Sequence, residues 1–327
     1  MAGELITVFG GSGFLGRYVV RDLCRKGYRV RVGVRNPGVA GDLRLAGDVG
    51  QVQIVQANVR NRPSIERAID GASGVINLVG LLFERGAQTF DGSQALGAKN
   101  VAELSASHGI TKFVQVSAIG ADADAESDYA RTKAEAEAAV LEQVPTAVIL
   151  RPSMIFGPED EFFNRFASMT RFSPALPAIG GGKTRLQPIF VGDVAKAVVA
   201  GLESTSASGR VFELGGPAEY TFKEIYEFIL KEIDRPRMIL PLPFFLAQPI
   251  GMVVGGLFKL WPFADPPITS DQVKLLKSDN VVGESGEDNI GTIQDLGITQ
   301  LESIEAIVPT YLWRFRPQGQ FHEPRGA

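Results

Sequence analysis

A glycine-rich turn between a short apolar run and a helical segment constrains the fold of this chain more than any other feature. In VFGGSGFLGRYVV, Gly10, Gly13 and Gly16 follow the apolar run and open the helical segment. The first glycine permits a tight turn, the second lets the backbone approach a pyrophosphate, and the third lets helix pack closely on strand. Free N–H groups at the start of such a helix attract phosphates. The spacing predicts a dinucleotide site, rather than a glycine-rich turn without a ligand, with neighbouring contacts from Ser12, Phe14 and Leu15.

Apolar runs alternate with helical segments along the first half of the chain. The predicted strands cover residues 5–9, 29–34, 51–56, 74–79, 112–117 and 146–150. The predicted helices between them cover residues 14–26, 62–70, 92–108 and 127–143. Near-continuous Val, Ile and Leu in the strands is typical of strands covered on both faces. The alternation predicts an α/β fold, a Rossmann-type doubly wound parallel sheet with right-handed crossovers.

The alternation loosens beyond about residue 151, where Pro and Gly become more frequent. We expect a nucleotide-binding domain over 1–155, whose core sheet extends to strands near 188–191 and 210–214. The remainder, 156–327, is predicted to be a smaller, mostly helical region for a substrate or for docking. Its predicted helices cover residues 193–203, 221–232 and 299–312.

The segment 239–258 contains twenty residues without a charge. A continuous membrane-spanning helix is disfavoured there because each proline removes a backbone donor, and the segment contains Pro241, Pro243 and Pro249. Two interpretations remain beside a span: a buried core element, or an apolar surface over 239–263 for a membrane or a partner protein. The neighbouring Lys259 and Trp261 suit an interface.

Composition excludes several classes of function. Thirty-three basic and 37 acidic side chains give a formal charge of −4, the wrong sign for a nucleic-acid-binding protein. Residues 1–62 nevertheless carry ten basic and four acidic residues, so an anionic ligand is expected near the N-terminus. A single cysteine and two histidines exclude a Cys/His metal cluster and an internal disulfide, and make a Ser-His-Asp triad a poor candidate. The first residues do not form a signal peptide, which predicts a cytoplasmic chain.

The ends of the second, third and fourth predicted strands indicate which dinucleotide is bound. Arg35 follows the second strand, where an acidic residue would accept hydrogen bonds from the ribose 2′-hydroxyl of NAD. A guanidinium instead pairs with a 2′-phosphate, so NADPH is the predicted cofactor unless Arg35 is a solvated surface residue. Arg17, in the first turn of the helix, can add a second positive charge. Asn58 can bond the adenine or form a turn, and Val79 completes the predicted contacts.

A second constellation follows the fifth predicted strand. Ser117 ends that strand, and Tyr129 and Lys133 follow in YARTK, four residues apart and therefore on one face of a helix. A nearby ammonium lowers the pKa of a phenol, so the tyrosine can exchange a proton with a substrate oxygen. The serine hydroxyl can orient a carbonyl, and the lysine can hold the nicotinamide ribose. The same residues can also serve only to bind the cofactor, so their presence does not establish that the chain catalyses a reaction.

The glycine pattern, Ser117, Tyr129 and Lys133 together resemble the extended, epimerase-like branch of the short-chain dehydrogenase/reductase superfamily. That resemblance implies a Rossmann-type fold with a bound nicotinamide cofactor. It also implies that these three residues form a catalytic-like group beside that cofactor.

The C-terminal half carries a narrower resemblance. The segments FGPEDEFFNRFASM, PITSDQVKLLKSDNVV and LGITQLESIEAIVPTYLWRFRPQGQF are similar to the NADPH-binding, Rossmann-type accessory subunit of respiratory complex I, in its alphaproteobacterial form. The resemblance runs over nearly the whole chain. It implies a structural subunit that holds NADPH at the junction of the peripheral and membrane arms. Its partners are then the complex I subunits near the quinone site, and its place is peripheral, on the cytoplasmic side of the inner membrane.

Three functions remain open on the sequence. In the first, the chain is a non-catalytic subunit and NADPH is a structural ligand, which stabilises the folded state because it binds only that state. In the second, it is an active NADPH-dependent reductase or epimerase, with Tyr129 as proton donor, Lys133 lowering its pKa and Ser117 orienting the substrate. In the third, it is an NADP(H)-sensing regulatory protein whose partner affinity depends on the oxidation state of the nucleotide.

Overall fold

The computed structural model describes residues 3–260, 268–283 and 290–319. Its strands, in chain order, are β1 Leu5–Phe9, β2 Arg29–Val34, β3 Val52–Gln56, β4 Gly74–Asn77, β5 Lys112–Val116, β6 Val148–Pro152, β7 Ile155–Phe156, β8 Ala175–Ile179, β9 Arg185–Leu186, β10 Ile189–Phe190, β11 Val211–Leu214, β12 Tyr220–Thr221, β13 Met238–Leu242 and β14 Gly291–Thr292. Its α-helices are α1 Phe14–Arg25, α2 Arg62–Ile69, α3 Leu96–Ser107, α4 Asp128–Gln143, α5 Phe162–Met169, α6 Val191–Glu203, α7 Phe222–Glu232, α8 Phe244–Leu260, α9 Ser270–Leu275, α10 Ile304–Ile307 and α11 Pro309–Leu312.

Eight parallel strands form the central sheet, in the order β14-β11-β6-β5-β4-β1-β2-β3. Strands β1, β4 and β6 are buried along their full length, as apolar strands covered on both faces should be. The strand order reverses at β1 and β4, and ligands of such sheets bind at the carboxyl ends beside the reversal. The predicted doubly wound α/β fold is confirmed.

The described residues divide into two compact units. The first contains the whole central sheet and consists of the described residues of Met1–Pro152, Val191–Leu214 and Ser285–Thr299. The second contains the two-stranded sheets β7–β10, β9–β12 and β8–β13, and consists of the described residues of Ser153–Phe190, Gly215–Glu284 and Gln300–Ala327. Each unit is assembled from three stretches of chain, so a single boundary in the sequence does not separate them.

Two glycines bring the first helix close to the first two strands. A Cβ on Gly16 would lie 2.4 Å from the carbonyl oxygen of Gly10. A Cβ on Gly11 would lie 2.5 Å from a methyl group of Val32 in β2. Both distances are too short for a side chain, so the glycines allow α1 to pack directly on β1 and β2.

The strands predicted in the first half of the chain lie within two residues of their observed bounds. The strand predicted near 210–214 is β11 and joins the central sheet. The strand predicted near 188–191 differs, because β10 pairs with β7 in a separate two-stranded sheet. The helix predicted over 299–312 is also shorter. It begins at Ile304, behind a Ser303 cap, and Pro309 opens a new turn.

Aromatic rings form the core of the second unit. Their centroids are 4.7 to 5.8 Å apart in a cluster of Phe162, Phe166, Phe222 and Tyr226. Beside this cluster, the buried carboxylate of Asp160 accepts hydrogen bonds from the Tyr311 hydroxyl and the Phe163 N–H, both at 2.6 Å. The FGPEDEFFNRF segment therefore serves mainly as core and helix cap.

The uncharged segment 239–258 does not form a buried core element. It forms most of β13 and α8, with Pro249 inside the helix. Large apolar side chains on α8 are exposed because only one side of the helix packs inward, and they include Phe245 at 74%, Met252 at 57% and Val253 at 62%. Among the helices that the structure describes, none has the length and apolar character to cross a bilayer. The side chain of Lys259 and residues 261–263 of the predicted surface lie outside the described residues.

Candidate functional site

The glycine-rich turn lies at the carboxyl end of β1, beside the reversal of strand order. Gly10 has a φ of +78°, which side chains rarely adopt, and its carbonyl accepts the Gly13 N–H at 3.0 Å. Gly13 is exposed at the start of α1, and this helix has neither a side-chain cap nor an acidic residue in its first turn. The first N–H groups of α1 belong to Phe14 and Leu15 and follow the half-buried Ser12. They are therefore suited to bind an anion.

The two predicted cationic residues have different surroundings. Arg35 follows β2 directly, is exposed, and has no ion pair or hydrogen bond within the described part of the chain. The Arg17 guanidinium, in contrast, pairs with the Asp42 carboxylate, and its hydrogen bond lowers the pKa of that carboxyl. The Arg35 guanidinium is thus available to bind an anionic ligand, whereas the Arg17 guanidinium is already paired with Asp42.

Asn58 and Val79 follow two other strands at the same edge of the sheet. Asn58 Oδ1 accepts the Arg60 N–H at 3.1 Å, which is the turn-forming arrangement, so the adenine contact stays a prediction. Val79 follows β4, and its N–H donates to Asn77 Oδ1 at 3.2 Å. A Cβ on Gly10 would lie 3.2 Å from the Val79 nitrogen, so the glycine turn lies directly against the end of β4.

Helix α4 brings two of the three catalytic-like residues, Tyr129 and Lys133, to the end of β5, which Ser117 follows. Tyr129 and Lys133 lie one turn apart, with Nζ 5.7 Å from the centroid of the tyrosine ring. The Phe90 ring meets the same tyrosine edge-on at 6.0 Å. Lys133 is 4% exposed and donates from Nζ to the carbonyl of Val116 at 3.3 Å. Because Ser117 is the next residue after Val116, the structure places all three predicted residues together.

Lys133 has an unusual electrostatic environment. Burial lowers its pKa from 10.5 to about 8, and the nearby Glu137 carboxylate opposes that shift. A Cβ on Gly80, just past β4, would lie 3.4 Å from Nζ. Because Gly80 has no side chain, no Cβ lies against Nζ at the end of β4, and hydroxyl groups of a ligand there can accept hydrogen bonds from the ammonium.

The Ser117 hydroxyl is a buried polar group without a hydrogen-bond partner in the described part of the molecule. Such a group costs about 1–3 kcal/mol, which a ligand that bonds it removes. Together with the uncapped start of α1, this hydroxyl fits a bound dinucleotide. The glycine turn would hold the pyrophosphate, Arg35 the ribose phosphate, and Lys133 the second ribose. When bound, such a cofactor supplies hydride chemistry.

Two residues that sequence reasoning missed fix α4 in place. Arg151 in β6 donates from Nη2 to Glu137 Oε2 at 2.7 Å and from Nε to Oε1 at 3.0 Å. Both side chains are buried, at 8% and 6% exposed. Glu137 lies one turn beyond Lys133, so the pair holds the lysine side of α4 against the sheet. The available signal was a charged residue in an otherwise apolar strand, VILRP.

A buried amide near Tyr129 was also missed. Gln94 is 2% exposed, and within the described residues neither its nitrogen nor its oxygen has a hydrogen-bond partner. It lies in a π-helical turn, Asp91–Ala95, a type of turn that is common at functional sites. The turn packs against α4, and Phe90 directly before it contacts Tyr129. This side of the site therefore holds polar groups suited to a water molecule or a ligand.

Comparison with known proteins identifies the family. Residues 6–215 match the model of the NAD dependent epimerase/dehydratase family. NADH dehydrogenase (ubiquinone) 1 alpha subcomplex subunit 9 of Arabidopsis thaliana mitochondria is 36% identical, over 91% of this chain and 75% of its own length. The Mus musculus protein of the same name is 35% identical, over 96% and 82%. The solved structure of Pal from Bacillus thuringiensis, 19% identical, shares the fold with a TM-score of 0.68 over 94% of this chain and 98% of its own.

The predicted site residues all lie within the matched range 6–215, and the matched family is NAD dependent. A nicotinamide adenine dinucleotide is therefore the class of cofactor that the family uses. Both resemblances seen in the sequence are confirmed at the level of the family, whereas the alphaproteobacterial form stays a prediction. The chain belongs to the NAD dependent epimerase/dehydratase family and, within it, to the family of subunit 9 of the NADH dehydrogenase 1 alpha subcomplex.

Proposed function

We propose that this chain is an accessory subunit of respiratory complex I that holds NADPH and carries out no reaction of its own. In this role it stabilises the complex at the junction of the peripheral and membrane arms, beside the subunits near the quinone site. We place it peripherally, on the cytoplasmic side of the inner membrane.

The observation that carries this proposal is the extent of the similarity. The epimerase/dehydratase match ends at residue 215, directly after β11 of the central sheet, and so leaves out most of the second unit. Similarity to the mitochondrial NADH dehydrogenase subunits covers 91% and 96% of the chain, so it includes most of the second unit. If the chain and these subunits shared only the nucleotide-binding fold, their second units would not need to be similar. A shared docking role does require similarity in the second unit.

The choice of NADPH over NADH is supported by the end of β2. The strand ends at Val34, and the next side chain is the exposed guanidinium of Arg35 rather than a carboxylate. A guanidinium binds a 2′-phosphate in fork geometry and cannot accept a hydrogen bond from a 2′-hydroxyl. Arg35 therefore favours the phosphorylated nucleotide.

A structural role for the nucleotide is supported by the polar groups left inside the site. Ser117 Oγ has no hydrogen-bond partner among the described residues, and the buried Lys133 ammonium bonds a single backbone carbonyl there. A ligand that pairs with both groups stabilises only the folded chain, by about 4 kcal/mol at a thousandfold excess over its Kd. We infer that bound NADPH holds the first unit in its assembly-competent form.

Native purification from membranes tests the proposal. We expect the chain to copurify with quinone-reducing respiratory subunits and to carry NADPH that does not exchange during purification, as read by mass spectrometry. A chain that is recovered free of those subunits, or that carries NADH or no nucleotide, would contradict it.

A second candidate function, an active NADPH-dependent reductase or epimerase, is favoured by one observation. The Tyr129 ring lies 5.7 Å from a lysine nitrogen beside the end of β5, where a substrate oxygen can meet a phenol and a hydroxyl. Under this function, Tyr129→Phe abolishes turnover and leaves nucleotide binding nearly unchanged. Under the accessory role, the same variant supports normal respiration, so growth on a respiratory substrate distinguishes the two.

A further inference from the structure

Strand β3 is an open edge of the central sheet. It stands last in the strand order and, among the described residues, pairs with β2 alone. The pairing is parallel and runs without interruption from Val30 opposite Val52 to Val34 opposite Gln56. One side of β3 is therefore bonded to the sheet, and the other side is an edge to which a further strand can be added.

The hydrogen bonds to β2 show which backbone groups of β3 face that edge. The Val30 N–H donates to the Gln51 carbonyl, and the Ala57 N–H donates to the Val34 carbonyl, both at 2.9 Å. Because alternate residues of a parallel strand bond the same neighbour, residues 51, 53, 55 and 57 face β2. The residues between them point their N–H and C=O groups outward, where no hydrogen bond within the described part of the chain engages them: Val52, Ile54 and Gln56.

Edge strands of natural proteins usually carry a feature that prevents another strand from pairing with them, such as a charge, a proline, a bulge or a very short length. The sequence of β3, VQIVQ, contains no charge and no proline, and its five consecutive pairs with β2 contain no bulge. At the opposite edge of the sheet, β14 has only two residues, Gly291 and Thr292. The β3 edge therefore has the length and regularity that an added strand needs.

A groove with a volume of about 390 Å³ lies against the first half of β3. Val52, Gln53 and Ile54 line it together with Arg29 and Arg44. Two of the residues whose backbone groups point outward, Val52 and Ile54, therefore border open space. The same space contains two guanidinium-bearing side chains.

The two arginines give this groove a positive charge. Arg29 and Arg44 are exposed, and neither guanidinium has an ion pair or a hydrogen bond within the described residues. No acidic side chain is among the described residues that line the groove. Glu4, whose carbonyl accepts the Arg29 N–H, directs its carboxylate to Lys112 at 2.7 Å. The groove thus complements carboxylates, which guanidinium groups bind in fork geometry.

These features favour an extended segment of another protein over a second copy of this chain. Residues 49–59 contain no acidic residue, so a copy that paired through its own β3 would bring no carboxylate from that stretch. It would instead add its own Arg29 and Arg44, and like charges across an interface are unfavourable. An extended segment with acidic side chains satisfies both requirements, because its backbone pairs with the edge and its carboxylates pair with the arginines.

We propose that β3 accepts an extended, acidic segment of a partner subunit as an added strand, with carboxylates of that segment at Arg29 and Arg44. The inference rests on the proposed function for the partner being a respiratory subunit. It adds the edge of the sheet that is contacted and the kind of segment that contacts it.

Hydrogen exchange of the backbone amides tests the proposal. Exchange is measured by mass spectrometry with fragmentation to single residues, on the purified free chain and on the chain copurified with respiratory subunits, both with saturating NADPH. In the free chain the amides of Val52, Ile54 and Gln56 should exchange faster than those of Gln53 and Val55, which bond β2. In the assembly the exchange of some or all of the three outward amides should slow by about tenfold or more, because the added strand bonds them.

Two variants test the backbone contact and the charge contact separately. Gln56→Pro removes an outward N–H at an exposed position, which an edge strand tolerates, and should lower recovery with the assembly by about tenfold or more. Gln56→Ala keeps that N–H and should assemble like the wild type. Arg29→Glu/Arg44→Glu should also lower recovery, because it would face the carboxylates with like charge.

The double variant Arg67→Glu/Lys99→Glu is the control for the change of charge. It makes the same change at exposed positions on α2 and α3 of the same unit and should assemble normally. Circular dichroism and the thermal shift on adding NADPH should show that every variant is folded.

Outward β3 amides that exchange equally fast in the free and the assembled chain would overturn the proposal. A folded Gln56→Pro variant that assembles as well as the wild type would do the same. Protection that rises with the concentration of the free chain would assign the edge to a second copy instead. If the wild type copurifies with respiratory subunits while its β3 edge stays unprotected, only the added strand is wrong. If the wild type is recovered without those subunits, the proposed function fails, and the partner proposed for β3 is lost with it.

Discussion

Arg151 and Glu137 form a buried ion pair with nitrogen–oxygen distances of 2.7 to 3.1 Å, one helical turn from Lys133. The pair joins the middle of α4 to β6, and Ala136, Val140 and Ile149 of the same two elements belong to one apolar cluster. Its carboxylate also opposes the fall in the pKa of Lys133 that burial causes. The pair therefore supports both the position and the charge of the lysine.

Breaking this pair should destabilise the first unit strongly. Glu137→Ala leaves a buried guanidinium without its main carboxylate, which costs about 3–5 kcal/mol of unfolding free energy, measured by urea denaturation. Glu142→Ala, at an exposed position on the same helix, should cost under about 0.5 kcal/mol. The double variant Glu137→Leu/Arg151→Met should recover much of the loss, since apolar replacements remove the uncompensated charge. Equal effects of Glu137→Ala and Glu142→Ala would contradict this account.

The parts of the fold that the sequence predicted correctly depend on neighbours along the chain. The turn at Gly10 and Gly13, the apolar strands and the YARTK helix are each encoded within about a dozen residues, so periodicity and spacing are sufficient. The site residues on β1, β4 and β5 then follow, because parallel strands bring their carboxyl ends to one edge of a sheet.

The parts that the sequence did not predict depend on contacts between distant segments. Glu137 and Arg151 lie on different elements and carry no motif, so only the folded chain shows that they pair. Strand β10 has two residues, and a stretch of that length does not reveal which sheet it joins. An apolar run such as 239–258 has the same composition whether protein covers it or not, so its exposure became evident only from the packing of α8.

Arg35 should determine which nucleotide is bound. Arg35→Ala removes the guanidinium that we expect at the 2′-phosphate, a charge-assisted interaction of about 1.5–3 kcal/mol. We therefore expect a loss of NADPH affinity of about tenfold or more, with NADH affinity nearly unchanged, in titrations that follow nucleotide fluorescence. Arg29→Ala, an equal change of charge at the start of the same strand, should leave both affinities unchanged. Parallel losses for both nucleotides in Arg35→Ala would place the guanidinium elsewhere than at the 2′-phosphate.

Ser117→Ala should have opposite effects on the free and the nucleotide-bound chain. The free chain should become more stable by about 1 kcal/mol, because the variant removes a buried hydroxyl that has no partner among the described residues. The added stability on saturation with NADPH should fall, since the ligand loses a hydrogen bond. Thermal melting with and without NADPH measures both effects.

Ser105→Ala is the matched control for that experiment. Ser105 is as buried as Ser117, but its hydroxyl donates to the Val101 carbonyl at 2.7 Å. This variant should therefore lower the stability of the free chain by about 1 kcal/mol and leave the NADPH effect unchanged. A Ser117→Ala variant that behaves like Ser105→Ala would show that its hydroxyl already has a partner in the free chain.

Lys133 should make the stability of the nucleotide-free chain depend on pH. Its pKa is about 8 in the folded chain and 10.5 for a solvated lysine, so between these values the unfolded chain holds a proton that the folded chain has lost. The free energy of unfolding therefore rises with pH across that window, and below it the wild type carries the full cost of a buried ammonium. Lys133→Met removes the titrating group. The free energy of unfolding of the variant should exceed that of the wild type by on the order of 2–3 kcal/mol near neutral pH. This difference should shrink as the pH approaches 10.5.

Urea denaturation of both proteins at a series of pH values measures that difference. The other titrating groups are common to both proteins, so their contributions to the difference largely cancel. Lys99→Met, at an exposed position on α3, is the control for the loss of a lysine at the surface of the same unit. Saturating NADPH should raise the pH at which Lys133 loses its proton in the folded wild type. The reason is that ligand hydroxyls that accept hydrogen bonds from Nζ favour its protonated form. A difference between Lys133→Met and wild type that stays constant with pH would mean that the lysine keeps an ordinary pKa. In that case its ammonium bonds water or another polar group near Gly80 even before the nucleotide binds.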